Sequence, residues 1–200
     1  MSAARVPPRL VLASTSRYRR ELLARLGIPF ETLPPDIDER IDPGELPREA
    51  ALRLAQGKAV AVARRLAGSL VIGSDQVASL EGRCMGKPGT HEAAVAQLRA
   101  MRGRCVVFHT AVSVIDADSG RLQVGDVPTV VRCRDYTDDE IEAYLRAARP
   151  YDCAGSARVE SLGIAMLDSV SSTDPTALIG LPLVRLAAML RREGCRIPAW

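Results

Sequence analysis

Few aromatic residues, few histidines and no paired cysteines are the first features of this sequence. Phenylalanine, tryptophan and tyrosine make up 4% of its 200 residues, and it contains two histidines and five cysteines. The cysteines are scattered without a C-x-x-C pair, an arrangement that fits neither a disulfide framework nor a zinc site. We expect reduced, mostly buried thiols. With only His91 and His109 available, and His109 inside an apolar strand pattern, a metal site must use carboxylates.

Strong net charge and long apolar runs are also missing. The formal net charge of +3 is small for this length, so the basic residues favour local anion-binding sites over a nucleic-acid track. No run is apolar enough to span a membrane, and residues 1–9 lack the uninterrupted apolar core of a signal peptide. We therefore expect a cytoplasmic protein that binds neither nucleic acid nor membranes.

Two common nucleotide-binding motifs are absent as well. The sequence has neither the G-x-x-x-x-G-K-[ST] loop of P-loop enzymes nor the G-x-G-x-x-G of dinucleotide binders, which argues against a P-loop kinase and a Rossmann dehydrogenase. Its apolar fraction of 47% is large enough to bury a core. We expect one domain over residues 1–200, built either as a single α/β body or as two lobes around one cleft.

The segment at residues 10–20 predicts a phosphate-binding loop. An apolar run over residues 10–13 suits a buried strand, and Ser14 or Ser16 can cap the helix that follows. Three arginines lie within residues 17–20. Unpaired N–H groups at a helix start, hydroxyls and guanidinium groups together favour an anion. The alternative is a solvated basic helix start, but the hydroxyl-rich loop directly after a strand favours phosphate.

Carboxylates stand out in two places. Residues 70–77 form an apolar strand that runs into Gly73, Ser74 and Asp75 where an α/β cleft would open. Asp75 either caps a turn or serves as a metal ligand or general base. The acidic loop over residues 36–42 is either a solvated turn or the source of one ligand for a hard cation.

Two lysines are candidates for phosphate contacts. A helix is predicted from Pro47 to about Leu66, and Lys58 falls on its apolar face, where an ammonium group is costly without a partner. It either snorkels to the helix edge or pairs with a substrate phosphate or a buried carboxylate. Lys87 lies on a loop stiffened by Pro88 and flanked by glycines.

The C-terminal half predicts a mixed sheet. Residues 105–115 and 122–134 form two long strands joined by a turn, and a capping box starts a helix at Thr137. The small residues at 152–157 allow close backbone approach, and Glu160 follows in a strand-like run to Leu167. A last amphipathic helix follows Pro182 and ends at Gly194.

These features together predict a mixed β-sheet flanked by helices with a central cleft. The expected lining of the cleft is Ser14, Arg19, Glu39, Lys58, Asp75 and Lys87. Cations combined with carboxylates indicate a ligand that brings phosphate together with a metal ion.

The motifs that lie along residues 10–194 resemble those of the Maf family of nucleotide pyrophosphatases. They are Ala13-Ser14-Thr15-Ser16 with Arg19-Arg20, Asp36-Ile37-Asp38-Glu39, Lys58-Ala59, Gly73-Ser74-Asp75-Gln76, Gly86-Lys87-Pro88, Cys153-Ala154-Gly155-Ser156 and Gly180-Leu181-Pro182. The order and spacing over most of the chain are specific, although each short motif alone is not. The resemblance implies an inosine-triphosphate-pyrophosphatase-like fold, hydrolysis of a nucleoside triphosphate to a monophosphate and pyrophosphate, and a homodimer.

The same resemblance implies roles for individual positions. Asp75 matches the proton acceptor, and Glu39 with Asp75 matches the positions that hold a divalent cation, Mg²⁺ or Mn²⁺. The phosphate-handling positions are Ser14, Arg19, Lys58 and Lys87. The positions that set substrate choice are Tyr18, Gln76 and Glu160.

Within the family, the chain most resembles the bacterial branch that acts on 7-methylguanosine triphosphate. Branches that act on thymidine and uridine triphosphates typically carry Ala-Asp-Thr where Ser74-Asp75-Gln76 stands. Activity on those nucleotides, or a non-catalytic nucleotide-binding role in cell division, are the alternatives. Two positions depart from the family pattern, Arg17 where proline is usual and Ser161 where glycine is usual.

Overall fold

A computed structural model describes residues 9–197, and the strands within them form one mixed sheet. The strands are β1 (Arg9–Ala13), β2 (Glu31–Leu33), β3 (Ser69–Leu80), β4 (Arg83–Met85), β5 (Cys105–Asp116), β6 (Leu122–Cys133) and β7 (Leu167–Ser172). The helices are α1 (Arg17–Ala24), α2 (Pro47–Ala63), α3 (His91–Met101), α4 (Asp138–Ala148) and α5 (Leu183–Arg192). The sheet order is β2-β1-β3-β5-β6-β7, with β4 also paired to β3. The predicted α/β class with a mixed sheet is confirmed.

Strand β3 has two different partners along one of its edges. Its first part pairs with β1 in parallel, ending at Ala13 opposite Gly73, and its last part pairs with β4 in antiparallel fashion from Ala78. The other edge pairs with β5 along nearly its whole length. Residues 74–77 therefore have a neighbouring strand on one edge only, and the sheet opens beside Asp75.

The two faces of the sheet are covered differently. Helix α2 packs on one face, where its alanines and Val62 meet β1, β3 and β5 residues. The opposite face carries two separate cores, one under α1 and α5 and one under α3 and α4. Along β3, Ile72 belongs to the first of these cores and Ala78 to the second. Ser74 and Gln76 lie between them, because alternate strand residues share a face.

Local capping signals in the sequence appear as predicted. The hydroxyl of Ser16 accepts the N–H of Arg19 at the start of α1, and Thr137 and Glu140 form a reciprocal capping box on α4. All five cysteines are free thiols, as expected, but the expectation that most are buried is wrong, because only Cys133 is buried. No helix in the described part of the chain is long and apolar enough to cross a membrane.

Two predicted strand boundaries are wrong. The run at 160–167 is not a strand, because Ser161 and Gly163 donate to the carbonyl of Arg158 and turn the chain into a 3-10 helix (Leu162–Met166), so that β7 begins only at Leu167. Strand β3 does not end near Asp75 either. It continues to Leu80, because β5 extends its pairing beyond the cleft.

Candidate active site

The opening beside residues 74–77 leads into a cavity of about 830 Å³. All nine side chains that were predicted as site residues line this cavity, namely Ser14, Tyr18, Arg19, Glu39, Lys58, Asp75, Gln76, Lys87 and Glu160. They come from α1, α2, β3 and four loops. A volume of this size falls within the range of pockets that enclose a small-molecule ligand.

The loop between β1 and α1 presents hydrogen-bond donors to this cavity. The Ser14 hydroxyl accepts the N–H of Ser16 at 3.1 Å, so its own proton is available to a ligand. Within residues 9–197, the backbone N–H groups of Thr15, Arg17 and Tyr18 have no acceptor. These N–H groups at the start of α1 form a site suited to an anion.

Arg19 is held in place by the chain on the far side of the cavity. Its Nε donates to the carbonyl oxygen of Gly180 at 2.9 Å. Its two terminal nitrogens have no protein partner among residues 9–197, which leaves both free to bind phosphate oxygens. The Ser74 hydroxyl lies 3.0 Å from the same Gly180 carbonyl oxygen and 2.8 Å from that of Ala111, and its one proton is shared between them. Arg19 and β3 therefore both contact the Gly180 carbonyl.

Lys58 and Asp75 form a buried ion pair at the centre of the cavity wall. Lys58 Nζ lies 2.6 Å from Asp75 Oδ1 and 2.8 Å from Glu39 Oε2. The exposed fraction of the Lys58 side chain is 5%, which excludes snorkelling. Of the partners that the sequence left open, the structure gives Lys58 carboxylates. Asp75 Oδ2 accepts no hydrogen bond from residues 9–197 and reaches the cavity.

A glycine makes this ion pair possible. A Cβ atom on Gly73 would lie 2.1 Å from the carbonyl oxygen of Ala55 and 2.7 Å from the backbone nitrogen of Ala59. Real Cβ atoms do not approach backbone this closely, so only glycine lets α2 pack against β3 here. The close approach sets Lys58, one helical position before Ala59, directly over Asp75.

The donor set beside Lys58 suits a magnesium-type cation shared with substrate. Glu39 and Asp75 each have one carboxylate oxygen that is not engaged by Lys58. No group of three metal-ligating side chains is found in residues 9–197. Mg²⁺ commonly takes one or two carboxylates and fills its remaining positions with water and substrate phosphates. Glu39 and Asp75 therefore fit such an ion only together with phosphate oxygens.

The rest of the acidic loop faces solvent. Asp36 pairs with Arg65 and Asp38 pairs with Arg40, both at exposed positions. Of that loop only Glu39 has a carboxylate that reaches Lys58. His109 lies in β5 as its apolar strand pattern predicts, bonds through Nδ1 to Asp126 at 2.9 Å and does not line the cavity.

Lys87 is supported by contacts between two loops. The carbonyl of Gly86 accepts Gln97 Nε2 at 2.9 Å and the N–H of Gly155 at 3.4 Å. The N–H of Gly89 donates to the carbonyl of Tyr151 at 3.0 Å. Lys87 itself forms no ion pair with any described residue, so its ammonium group is available at the cavity.

The three side chains at the positions predicted to set substrate choice differ in exposure. Tyr18 is half-buried, and the guanidinium carbon of Arg17 lies 4.9 Å from its ring centroid, as in a cation–π pair. Gln76 is half-buried, and its amide nitrogen bonds to Thr110, Ala177 and Leu178. Glu160 is exposed in the turn after Arg158.

The sequence did not single out Arg158 and Cys153 as parts of the cavity wall. Arg158 donates to the carbonyl of Ala148 at 2.7 Å and to Asp152 at 3.0 Å. Burial raises the pKa of the Cys153 thiol to about 11, so the thiol is neutral at pH 7. The small residues at 152–157 predicted close approach there, but nothing in the spacing indicated an arginine.

Comparisons with known proteins agree with this geometry. The Maf family, described as Maf-like protein, matches residues 9–193. The 7-methyl-GTP pyrophosphatase of Burkholderia thailandensis is 59% identical over 190 residues, which cover 94% of this chain and 88% of that protein. Those of Thiobacillus denitrificans and Aromatoleum aromaticum are 56% and 57% identical, and the alignments cover 98% and 95% of this chain and 98% of each relative.

Proposed function

The chain belongs to the Maf family, and we propose from this premise that it hydrolyses 7-methylguanosine triphosphate to 7-methylguanosine monophosphate and pyrophosphate. The relatives at 56–59% identity are named for that activity. One observation carries the proposal. A single cavity brings together basic side chains, a carboxylate with one unengaged oxygen, an aromatic ring and a further carboxylate.

The reaction we propose is attack of water on the α-phosphorus. Asp75 Oδ2 orients the water and takes its proton, while Lys58 holds Oδ1 and fixes the carboxylate. As the new bond from oxygen to the α-phosphorus forms, the bond to the β-phosphate bridge breaks and pyrophosphate leaves. A divalent cation between Glu39, Asp75 and the phosphates would supply charge neutralisation and polarise the phosphate oxygens.

Four groups are proposed to stabilise the negative charge that develops on the phosphate oxygens. We assign Arg19 and Lys87 to contacts with phosphate oxygens. The Ser14 hydroxyl and the unpaired N–H groups at the start of α1 donate further hydrogen bonds to these oxygens. Such preorganised charges act most strongly where they face the atoms on which charge accumulates. Lys58 contributes through Asp75 in the unliganded protein, and its contact with phosphate remains a prediction.

The base is proposed to bind between Tyr18 and Glu160. Methylation at N7 gives guanine a delocalised positive charge, which favours an electron-rich ring and a carboxylate. Arg17 covers one face of the Tyr18 ring, so the base would stack on the opposite face. The exposed Glu160 carboxylate can accept hydrogen bonds from the guanine N1–H and amino group.

The test is pyrophosphate release from a nucleotide panel. Purified protein with Mg²⁺ or Mn²⁺ is offered the triphosphates of 7-methylguanosine, guanosine, thymidine and uridine. We expect kcat/KM for 7-methylguanosine triphosphate to exceed that for guanosine triphosphate about 5- to 150-fold, as expected for contacts worth roughly 1 to 3 kcal/mol. Tyr18→Ala and Glu160→Gln should each shrink this ratio.

Matched variants test whether Tyr18 and Glu160 set the substrate preference, and two outcomes of the nucleotide panel would contradict the proposed function. Tyr18→Phe keeps the ring and should retain most of the ratio, and Glu21→Gln changes an exposed glutamate outside the cavity. A clear preference for thymidine or uridine triphosphate would identify a different substrate within the same chemistry. Tight nucleotide binding without pyrophosphate release from any triphosphate would favour a regulatory role. The homodimer remains a prediction, which sedimentation of the purified protein would test.

A further inference from the structure

The amide nitrogen of Gln76 is surrounded by hydrogen-bond acceptors. Gln76 Nε2 lies 2.9 Å from Thr110 Oγ1, 3.1 Å from the carbonyl oxygen of Ala177 and 3.0 Å from that of Leu178. Carbonyl oxygens only accept hydrogen bonds. Rotation of the amide by 180° would point the Gln76 oxygen at these acceptors and leave its two N–H groups without them. The surroundings therefore specify which end of the amide faces the protein.

Thr110 strengthens this preference through the direction of its own hydroxyl bond. The Thr110 side chain is fully buried, and its hydroxyl donates to the carbonyl of Ala177 at 2.9 Å. A hydroxyl has one proton, so the oxygen that has given it to Ala177 can only accept from Gln76. Thr110 stands opposite Gln76 in the register of β3 and β5, which fixes their spacing through the sheet.

The carbonyl groups on the other side of Gln76 are held by a network of their own. Asp174 is 2% exposed, and its carboxylate accepts the N–H of Thr176 at 3.0 Å and that of Val184 at 2.7 Å. The Thr176 hydroxyl lies 2.7 Å from Asp174 Oδ1 and 2.9 Å from the carbonyl oxygen of Leu181, and its one proton is shared between these two acceptors. This network secures the loop before α5, so the acceptors around Gln76 Nε2 are in place before any ligand binds.

We propose that Thr110 is a positioning residue that holds Gln76 with its amide oxygen toward the cavity. Gln76 Oε1 makes no hydrogen bond with residues 9–197, and the side chain lines the cavity next to Asp75. The inference rests on the proposed function and deepens it. The cavity presents a fixed, neutral hydrogen-bond acceptor, which selects bases that place an N–H group at this point.

Guanine and 7-methylguanine meet this requirement in the same way. Both offer three N–H bonds on one edge, one at N1 and two on the amino group, so one N–H remains for the Gln76 oxygen after Glu160 has accepted two, whereas adenine offers only its two amino N–H bonds and places an acceptor at N1. A fixed acceptor therefore separates guanine-type from adenine-type bases, while charge recognition by Tyr18 and Glu160 separates the methylated base from the unmethylated one. Changes at Gln76 or Thr110 should therefore alter the preference for guanine over adenine and leave the preference for methylated over unmethylated guanine largely unchanged.

The test compares Thr110→Val with Thr110→Ser. Dissociation constants are measured for 7-methylguanosine monophosphate and adenosine monophosphate, together with kcat and KM for 7-methylguanosine triphosphate. Valine keeps the shape but removes the hydroxyl, so we expect weaker binding of the methylguanine nucleotide and a higher KM, by about 5- to 30-fold, with a much smaller change in kcat. Thr110→Ser should restore most of the binding.

A double-mutant cycle separates positioning from general damage. In a Gln76→Ala background, Thr110→Val should have little further effect on nucleotide binding, because the group that it positions is gone. Thr129→Val is the matched control, since Thr129 is a fully buried β6 threonine with a side-chain bond to Ser172 and lies outside the cavity. It should change thermal stability without changing base preference.

Several outcomes would overturn the inference. Wild-type binding by Thr110→Val, or equal losses with and without the Gln76 side chain, would show that Thr110 does not act through Gln76. If Thr110→Val fails to fold, Gln76→Glu replaces it, because a carboxylate cannot donate to the three acceptors. Unchanged binding by Gln76→Glu would contradict the fixed orientation. Because binding is measured with the monophosphates, this test remains valid if the protein releases no pyrophosphate.

Discussion

The two faces of β3 offer the cavity different chemistry within three consecutive residues. On the α2 face, Asp75 lies in an apolar packing layer and pairs with the buried ammonium group of Lys58. On the opposite face, the side-chain hydrogen bonds of Ser74 and Gln76 within residues 9–197 go to hydroxyl and carbonyl groups, and one of these carbonyls also accepts Arg19. Strand alternation alone separates these neighbours.

The two faces of β3 are suited to different steps of recognition and catalysis. Charged groups are suited to polarising phosphate and water, whereas neutral groups with fixed directions are suited to distinguishing bases. The edge of β3 that lacks a neighbour opens both faces to one cavity. Changes on the Asp75 face are therefore expected to lower turnover for every nucleotide, and changes at Gln76 are expected to alter which nucleotide is preferred.

The largest expected effect comes from Asp75→Asn. The amide has nearly the same shape but cannot take a proton from water, so we expect kcat to fall by about 10²- to 10⁴-fold while the ratio between nucleotides stays the same. Pyrophosphate release and thermal melting measure the two properties. Asp126→Asn is the control, since it changes a buried carboxylate outside the cavity. Near-normal turnover by folded Asp75→Asn would remove Asp75 from the mechanism.

The second effect concerns stability on the same face. Lys58→Met leaves the Asp75 carboxylate mostly buried without its cation, which is expected to lower the free energy of unfolding by about 3 kcal/mol. In an Asp75→Asn background, the same change should cost less than about 1 kcal/mol, because the carboxylate then left without Lys58 is that of the half-exposed Glu39. Denaturant unfolding of the four proteins measures this coupling. Equal costs in both backgrounds would mean that the pair does not stabilise the fold.

Much of the local structure could be predicted because its signals are local. Ser16 and Thr137 lie next to the helices that they cap, and the turn at Glu81-Gly82 joins strands that are adjacent in sequence. Six side chains of the cavity follow from the local residue pattern, and the three substrate-choice positions follow from the family resemblance. Lys58 was recognisable as unusual because a single charge on an apolar helix face needs a partner.

Other parts could not be predicted, for physical reasons. The acceptors around Gln76 are mostly backbone carbonyls from residues about a hundred positions away, and every residue type carries such a group. The partner of Lys58 depended on how closely α2 approaches Gly73, which is a tertiary distance. The run at 160–167 was misassigned because bonds to the Arg158 carbonyl outweigh its strand-like composition.

A smaller effect is expected from Ser74→Ala on the neutral face. The single proton of the Ser74 hydroxyl is shared between the carbonyl oxygens of Ala111 at 2.8 Å and Gly180 at 3.0 Å, and its loss should cost about 1 kcal/mol of stability. Because Gly180 also holds Arg19, KM should rise by about two- to fivefold for all nucleotides alike. Ser79→Ala is the control, with a similar bond to β5 away from the cavity. A change in base preference would extend recognition beyond Gln76 on this face.

The smallest effect is expected at the rim of the cavity, from Arg17→Pro. Arg17 is the first residue of α1, its N–H has no partner among residues 9–197, and Ser16 before it has the extended backbone that proline requires. Proline at such a position stabilises by about 0.4 to 1 kcal/mol through the unfolded chain. The lost contact with the exposed guanidinium over Tyr18 offsets about half of that. We therefore expect the melting temperature to rise by roughly 1 to 2 °C, as calorimetry would measure. Arg17→Pro also removes a cation from one face of the Tyr18 ring, on which the cationic base is proposed to stack. The preference for 7-methylguanosine triphosphate over guanosine triphosphate should therefore rise, by less than about threefold. A lower melting temperature would mean that Arg17 supports the phosphate loop in a way that proline cannot, and a large change in turnover would place the residue among the catalytic cations.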